Sequence, residues 1–222
     1  MSKQDITFGV FMPQGWKMEL VGIPSATDKW NAAVDIAVTA EQLGFDSIWV
    51  YDHFHNVPRP AHETVFECWT VMAAISQLTT RIRLGQMVGC NLYRPPALLA
   101  KITSTLDVIS GGRLDWGIGA GWYENECRGY GYEFPVPKDR IAMLRECVEI
   151  VKMMWSQEET TYDGKYYNWF AQIVIQNHCR RLAHQFGLVA VENNSLCELW
   201  PNTLTTQTLV ARLKNSHARW KF

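Results

Sequence analysis

One arrangement recurs four times along this chain of 222 residues: an apolar run, a polar or glycine-rich break, and then a segment with helical spacing of apolar residues. The four apolar runs span residues 6–13, 47–51, 82–88 and 114–118. Strands that alternate with helices of this length pair in parallel through right-handed crossovers. The sequence therefore predicts an α/β fold with a parallel sheet, equivalent to about half of a barrel-type enzyme.

The segments between these runs predict helices. The first covers residues 30–43, with Thr27 or Asp28 as its N-cap and Gly44 at its end. The others are predicted over residues 66–78, from Pro95–Pro96 to Gly111–Gly112, and over residues 141–155. Proline suits the first turn of a helix, and glycine suits the left-handed residue that ends one. A hairpin over residues 162–167 follows the last helix.

Composition and charge narrow the class of protein. The chain is 47% hydrophobic with a net charge of −1, which gives no electrostatic footprint for nucleic acid or an acidic membrane. It has no run of about 18 apolar residues, and its start does not resemble a signal-peptide core. Six cysteines without a Cys-x-x-Cys pair are typical of reduced thiols. We therefore expect a cytoplasmic enzyme with a small-molecule substrate and no nucleic-acid or membrane partner.

Polar residues at the strand ends are the first candidates for chemistry, because parallel α/β folds carry their sites at the carboxyl edge of the sheet. Asp52 and His53 follow the second run directly. A histidine beside an aspartate can act as a general base, a proton donor or a hydrogen-bond donor to a cofactor ring. A capping aspartate and a structural histidine are the alternative. His55 forms a His-x-His pair with His53, but a catalytic metal usually needs a third protein ligand.

Three glycines end the fourth run, at Gly117, Gly119 and Gly121. Their spacing does not match the dinucleotide-binding fingerprint, because the third glycine comes two residues after the second instead of three. Glycines at a strand end let a flat ring or a ligand backbone come close. A tight strand-to-loop bend explains the same residues equally well.

Three motifs together resemble a known family: Ser47-Ile-Trp-Val-Tyr-Asp-His-Phe54, Leu106-Asp-Val-Ile-Ser-Gly-Gly-Arg113 and Gly117-Ile-Gly-Ala-Gly-Trp-Tyr-Glu124. They are similar to the bacterial-luciferase-like monooxygenase superfamily, particularly its branch of oxidoreductases that depend on the deazaflavin coenzyme F420. The resemblance covers residues 6 to about 176. It implies a (β/α)8 TIM-type barrel that binds a flavin or deazaflavin at the carboxyl mouth and transfers a hydride to or from the ring. A homodimer is common in the family.

The resemblance also implies roles for particular residues. His53 corresponds to the family's residue beside the reacting ring position, with Asp52 adjacent. A non-proline cis peptide, by position Met87–Val88, would form a bulge behind the ring. The remaining residues implied at the ring are Cys90 and Asn91 at one edge and Ala120, Gly121 and Trp122 at the other side. The cofactor itself would be coenzyme F420, or FMN as the alternative.

Residues 177–222 depart from the alternating pattern and show neither strand alternation nor a sustained helical stripe. A single-base frameshift near His178 is our hypothesis for this. When each codon's third base is read with the first two bases of the next codon, residues 184–194 can spell Ser-Ile-Trp-Ile-Gly-Gly-Ser-Gly-Glu-Gln. That string looks like the family's fifth strand and its phosphate-binding glycine turn. We therefore predict that residues 1–176 are the amino-terminal half of a luciferase-like barrel, about four βα units, and that residues 177–222 are an out-of-frame or irregular tail.

This division predicts a truncated enzyme with weak or absent cofactor binding, because the later strands of such barrels often hold the cofactor's phosphate. Three alternatives stay open at the level of sequence. The first is an FMN-dependent monooxygenase of the same superfamily, and the second is a metal-dependent TIM-barrel hydrolase that uses His53 and His55. The third is a non-catalytic fragment. The sequence does not identify the substrate.

Overall fold

A computed structural model describes residues 7–58, 61–173 and 186–188 of the chain. Its main sheet is parallel, with neighbours in the order β1-β2-β3-β5 and with β4 and β8 also paired to β5. The strands are β1 (Gly9–Phe11), β2 (Ser47–Val50), β3 (Arg83–Gln86), β4 (Gly89–Cys90), β5 (Leu114–Gly119) and β8 (Phe186–Leu188). Two further strands, β6 (Glu159–Asp163) and β7 (Asn168–Ile173), form an antiparallel hairpin. The predicted α/β fold with a parallel half barrel is confirmed.

The third predicted strand, over residues 82–88, is shorter in the structure, and a separate two-residue strand follows it. β3 ends at Gln86 and β4 begins at Gly89, and the peptide bond between Met87 and Val88 is cis. Met87 still donates its N–H to the carbonyl of Val50, at 2.8 Å, which keeps this segment beside β2. The cis peptide that the family resemblance implied is therefore present at the expected position.

Four of the five described helices lie where the apolar spacing predicted them, whereas the short helix over Glu124–Gly129 was not predicted. The five helices are α1 (Ala26–Gln42), α2 (Cys68–Leu78), α3 (Pro96–Ile109), the short α4 (Glu124–Gly129) and α5 (Pro137–Ser156). Gly44, Gly111 and Gly112 have positive φ angles of 87°, 68° and 84°, as expected for glycines that follow helix ends. Every predicted helix is thus present, with boundaries shifted by a few residues, and the hairpin after α5 is confirmed.

The N-cap of α1 differs from the prediction. Ser25, and not Thr27 or Asp28, caps this helix, because its extended backbone lets its Oγ accept the N–H of Asp28 at 3.0 Å. The same hydroxyl donates to the Asp28 carboxylate at 2.7 Å. The Ser25 hydroxyl thus accepts from the backbone of Asp28 and donates to the side chain of the same residue. The side chain of Asp28 contributes to the cap from the third position of the helix.

The core lies between the sheet and its helices. Alternate strand residues face the helices and are almost fully buried: Ile48, Val50, Leu84, Leu114, Trp116 and Ile118. The opposite face of the sheet carries Trp49, whose indole lies against Gly9 and Gly85. A Cβ atom at Gly85 would lie 2.5 Å from the Trp49 ring, so glycine is required there for the ring to lie flat on the sheet. Arg83 and Asp115 form an ion pair at 2.6 Å on this face.

One strand lies in the part of the chain for which the sequence predicts none. β8 pairs in parallel with β5, with Phe186 opposite Trp116 and Leu188 opposite Ile118. The open side of β5 offers backbone N–H and C=O groups that any extended segment can pair with, which periodicity in the segment does not reveal. The other residues of the predicted tail, 177–185 and 189–222, lie outside the described part. Within the described part, no helix is long and apolar enough to cross a membrane.

Candidate active site

The sequence-predicted residues converge at the carboxyl edge of the sheet. His53 follows β2, Cys90 ends β4, and Gly121 follows β5. Cys90 lies opposite Gly119 in the sheet register, and a Cβ atom at Gly121 would lie 3.0 Å from the Cys90 Sγ. Gly121 has a φ of 82°. Because Gly121 has no side chain, the ends of β4 and β5 can lie this close together. This agrees with the interpretation of the glycine as part of a tight bend between strand and loop.

His53 is held between aromatic rings at this edge. Its imidazole stacks on Trp16 with ring centroids 4.4 Å apart and an interplanar angle of 3°. Trp122 approaches the same imidazole edge-on, at 5.7 Å. The residue is only 9% exposed. The stacking fixes the plane of the imidazole ring, and a hydrogen bond selects the orientation of the ring within that plane.

Glu126 is the hydrogen-bond partner of His53. Its Oε2 lies 2.8 Å from the His53 Nδ1. A carboxylate can only accept, so the shared proton belongs to Nδ1. Among the described residues nothing hydrogen-bonds Nε2, the other ring nitrogen. His53 therefore presents Nε2 as an acceptor when the ring is neutral and as a donor when it is protonated.

The Glu126 carboxylate accepts four hydrogen bonds although it is fully buried. Besides His53, the hydroxyl of Tyr93 donates to Oε2, and the backbone N–H groups of Phe54 and His55 donate to Oε1 at 2.6 and 2.7 Å. Burial acts to raise the pKa of Glu126, but the hydrogen bonds from His53, Tyr93 and His55 outweigh it, and the pKa is lowered. Glu126 is thus an ionised anchor for the loop that carries His53.

The Asp52 carboxylate accepts hydrogen bonds from a different set of donors. Arg94 binds it through both guanidinium ends, at 2.7 and 3.0 Å, and the N–H of Cys90 donates to the same carboxylate at 2.8 Å. Arg94 also donates to Glu67, the N-cap of α2, at 2.7 Å. Burial acts to lower the pKa of Arg94, but its contact with Asp52 raises it on balance. Asp52 thereby ties the ends of β2 and β4 to the start of α2.

The described residues do not assemble a metal centre around the two histidines. Within residues 7–58, 61–173 and 186–188, the three ligand-type side chains that come within 4.8 Å of one another are those of Asp52, Glu67 and Cys68. That cluster already holds the guanidinium of Arg94. His55 instead packs against Tyr130 and Tyr123. The His53–His55 pair gains no third ligand in this region, so the geometry gives no support to the hydrolase alternative.

The remaining predicted residues lie at the carboxyl ends of β4 and β5, and Trp122 is the one whose contact with His53 is described above. Ala120 and Asn91 are buried, and Cys90 is partly buried. Trp122 is 52% exposed and stacks on Tyr123 at 5.0 Å. An indole that is half exposed at the mouth of a parallel sheet offers a flat apolar surface to a ligand.

Three residues of this site were not predicted from the sequence: Trp16, Arg94 and Glu126. Trp16 follows β1, so the strand-end argument applied to the first run would have included it. Arg94 and Glu126 lie close to motif residues in sequence, but their partners are distant. Glu126 bonds a residue 73 positions away, and Arg94 bonds one 42 positions away. A single sequence carries no signal for such pairs.

The sheet is parallel, and a buried histidine lies at its carboxyl edge, where barrels of this class carry their sites. The sequence profile of the family described as luciferase-like monooxygenase matches residues 6–181. The chain belongs to this family.

Relatives and solved structures agree on the fold. The F420-dependent glucose-6-phosphate dehydrogenase of Amycolatopsis mediterranei is 36% identical over 137 residues, which are 60% of this chain and 40% of that protein. An F420-dependent secondary alcohol dehydrogenase in complex with an F420–acetone adduct superposes with a TM-score of 0.63 and 25% identity, over 78% of this chain and 49% of that one. The oxygenating constituent of 3,6-diketocamphane monooxygenase from Pseudomonas putida, in complex with FMN, superposes with a TM-score of 0.61 and 24% identity, over 75% of this chain and 43% of that one.

These matches concern part of each relative. The chain spans about 40% of the length of the F420-dependent glucose-6-phosphate dehydrogenases that it matches.

Proposed function

We propose that this chain is the amino-terminal half of an oxidoreductase that uses coenzyme F420 and transfers a hydride to or from the deazaflavin ring. The observation that carries the proposal is the fixed imidazole of His53 at the carboxyl edge of the sheet, with Nε2 available and an exposed tryptophan beside it. Several relatives, at 36% and 39% identity for example, are named F420-dependent glucose-6-phosphate dehydrogenases. When bound, the cofactor supplies the hydride chemistry, and the protein supplies binding, orientation and electrostatics.

His53 is the residue that would exchange a proton in this reaction. Hydride transfer to or from an alcohol carbon requires a matching proton transfer at the oxygen, and a histidine is suited to this near neutral pH. Nε2 is the nitrogen in position to do so, since Nδ1 is bonded to Glu126. Asp52 is a positioning residue in this proposal, because its carboxylate is bonded to Arg94 and Cys90 and lies next to His53 in the chain.

The other predicted residues would hold the ring. The segment with the cis peptide, Met87 and Val88, would lie behind it, and Cys90 and Asn91 would border one edge. Ala120, Gly121 and Trp122 would line the other side. The indole of Trp122 supports this assignment most directly, because it stacks on Tyr123 and still leaves 52% of the residue exposed as an apolar surface.

We also propose that residues 1–176 form the barrel half and that residues 177–222 are out of frame. The family profile supports this boundary, since its match ends at residue 181. The chain as it stands would then bind the cofactor weakly, because the family's later strands, which carry phosphate contacts, are replaced. Sequencing the gene tests the frameshift. Codons that cannot spell the family's fifth strand in the shifted frame would contradict it.

Two finer properties accompany this function. A cytoplasmic location is supported by four described cysteines that are all free: Cys68, Cys90, Cys127 and Cys147. A homodimer is proposed from the family alone, and sedimentation of the purified chain would test it.

Fluorescence titration of the purified chain with coenzyme F420 and with FMN tests the proposed function. We expect weak, saturable binding of coenzyme F420 and weaker binding of FMN. Trp122→Ala should weaken F420 binding severalfold, because the indole would lose its contact with the ring. Phe8→Ala is the matched control, since Phe8 is also a large exposed aromatic (62% exposed) but precedes β1 at the opposite edge of the sheet. Tighter binding of FMN would favour the monooxygenase alternative, and equal effects of both variants would contradict the location of the ring.

A further inference from the structure

The carboxylate of Glu126 arranges its four donors in two pairs. The two backbone N–H groups of Phe54 and His55 share Oε1, and the two side-chain donors, His53 Nδ1 and the Tyr93 hydroxyl, share Oε2. A carboxylate has about four lone-pair sites, so its capacity is filled. Burial and the nearby Cys90 and Glu126 raise the pKa of Tyr93, so its hydroxyl stays a donor.

From this arrangement we propose that Glu126 is a positioning residue that selects the His53 tautomer with the proton on Nδ1, and thereby makes Nε2 the nitrogen that exchanges protons. In a neutral imidazole, a hydrogen-bond partner that can only accept keeps the proton on the ring nitrogen that faces it, and the other ring nitrogen is left as an acceptor. Here the partner is a buried anion that cannot donate. The mechanistic part of this inference rests on the proposed function, whereas the choice of tautomer does not.

The two backbone N–H groups determine how a glutamine at position 126 must be oriented. In Glu126→Gln, the two N–H groups of Phe54 and His55 still require an acceptor, and a backbone N–H cannot become one. The amide oxygen must therefore occupy the Oε1 position, which turns the amide NH2 toward His53. The imidazole would then have to accept at Nδ1 and carry its proton on Nε2. We expect the substitution to invert the tautomer with no change in the shape of the site.

Glu124→Gln is the matched control on the same helix. Glu124 is a carboxylate two residues away that pairs with Arg128 at 2.7 Å on the surface, where both side chains are more than half exposed. Within the described part of the chain its hydrogen-bonded partner is Arg128, and it is not bonded to His53. Glu124→Gln therefore replaces a carboxylate by an amide on α4, as Glu126→Gln does, but at a position that is not bonded to the imidazole.

Nitrogen-15 NMR of histidine-labelled protein reads the tautomer directly and needs no cofactor. With the ring neutral, we expect the wild type and Glu124→Gln to show His53 protonated on Nδ1, and Glu126→Gln to show it protonated on Nε2. His53→Asn identifies the resonances by their disappearance. A wild-type His53 protonated on Nε2, or the same tautomer in wild type and Glu126→Gln, would overturn the inference.

Tyr93→Phe keeps the experiment decisive if Glu126→Gln does not fold. This substitution removes one donor from Oε2 but leaves the carboxylate, so His53 should stay protonated on Nδ1. Loss of that tautomer in Tyr93→Phe would show that the carboxylate alone does not select it. In protein that binds coenzyme F420, Glu126→Gln should lower the hydride-transfer rate by about 10²–10⁴-fold, on the scale of removing the orienting carboxylate of a catalytic triad. A hydride-transfer rate that Glu126→Gln leaves unchanged would count against the proposed role of His53 in the reaction and leave the NMR result intact.

Discussion

Arg94→Met should destabilise the protein more than any surface substitution of an arginine. Methionine keeps the length and apolar stem of the side chain but removes the guanidinium. Arg94 donates two hydrogen bonds to Asp52 and one to Glu67, at 2.7, 3.0 and 2.7 Å. The Asp52 side chain is completely buried, so the substitution leaves an uncompensated buried charge.

The size of the effect follows from the two partners separately. Removing one member of a buried ion pair costs about 3–5 kcal/mol, and this applies to Asp52. The Glu67 side chain is 35% exposed, so its pair with Arg94 adds about 0–1 kcal/mol. For a protein of this size, each kcal/mol lowers Tm by about 2–4 °C. Together the two partners give a loss of about 3–6 kcal/mol, and the expected fall in Tm is therefore roughly 6–24 °C.

Urea unfolding followed by circular dichroism measures this loss, with Arg128→Met as the control. Arg128 pairs with Glu124 on the exposed face of α4, where the pair is worth about 0.5 kcal/mol. Adding Asp52→Asn to Arg94→Met should recover part of the stability, because a neutral amide replaces the stranded carboxylate. If Arg94→Met costs less than about 1 kcal/mol, as Arg128→Met should, then Asp52 is not the buried anion described above.

Two further predictions concern stability. Ser25→Ala should lower the free energy of unfolding by about 1 kcal/mol, because the N-cap of α1 is lost. Ser156→Ala is the control and should lower it less, because it removes only hydrogen bonds to carbonyls in the last turn of α5. Equal losses of stability in urea unfolding would contradict the capping role of Ser25. The pKa of Glu126 is lowered from 4.5 by folding, so this residue contributes stability that is present above about pH 4.5 and is lost as the pH falls through its folded-state pKa. Urea midpoints between about pH 3 and pH 6 should therefore fall more steeply in the wild type than in Glu126→Gln, and parallel curves would refute the lowered pKa.

The sequence predicted those features that depend on local patterns. The four apolar runs predicted strands, because a run of apolar residues bounded by turn residues is a pattern of only a few neighbouring positions. Gly111 and Gly112 were predicted to close α3 because a left-handed residue excludes most side chains. The cis peptide at Met87–Val88 was predicted only through the family resemblance, since nothing in the residues themselves favours it over a trans bond.

The residues of the site were predicted only where a local pattern in the sequence points to them. His53 was identified because it ends a strand, and strand ends of parallel sheets meet at one edge. The partners that define its chemistry were missed, because Glu126 reaches it from α4 and Trp16 from the loop after β1. The N-cap of α1 was misplaced by two or three residues because Ser25, Thr27 and Asp28 are all common N-cap types. Their geometry, and not their identity, decides which one caps.

We propose that a flat redox ring binds at the carboxyl edge of this sheet, against the imidazole of His53. NMR chemical-shift mapping of the labelled chain during titration with coenzyme F420 shows where the ring binds. We expect the largest changes at His53, Cys90 and Trp122, with none at Phe8 or Leu43 near the opposite edge. Changes centred on that opposite edge, or saturable binding without any change at His53, would contradict it.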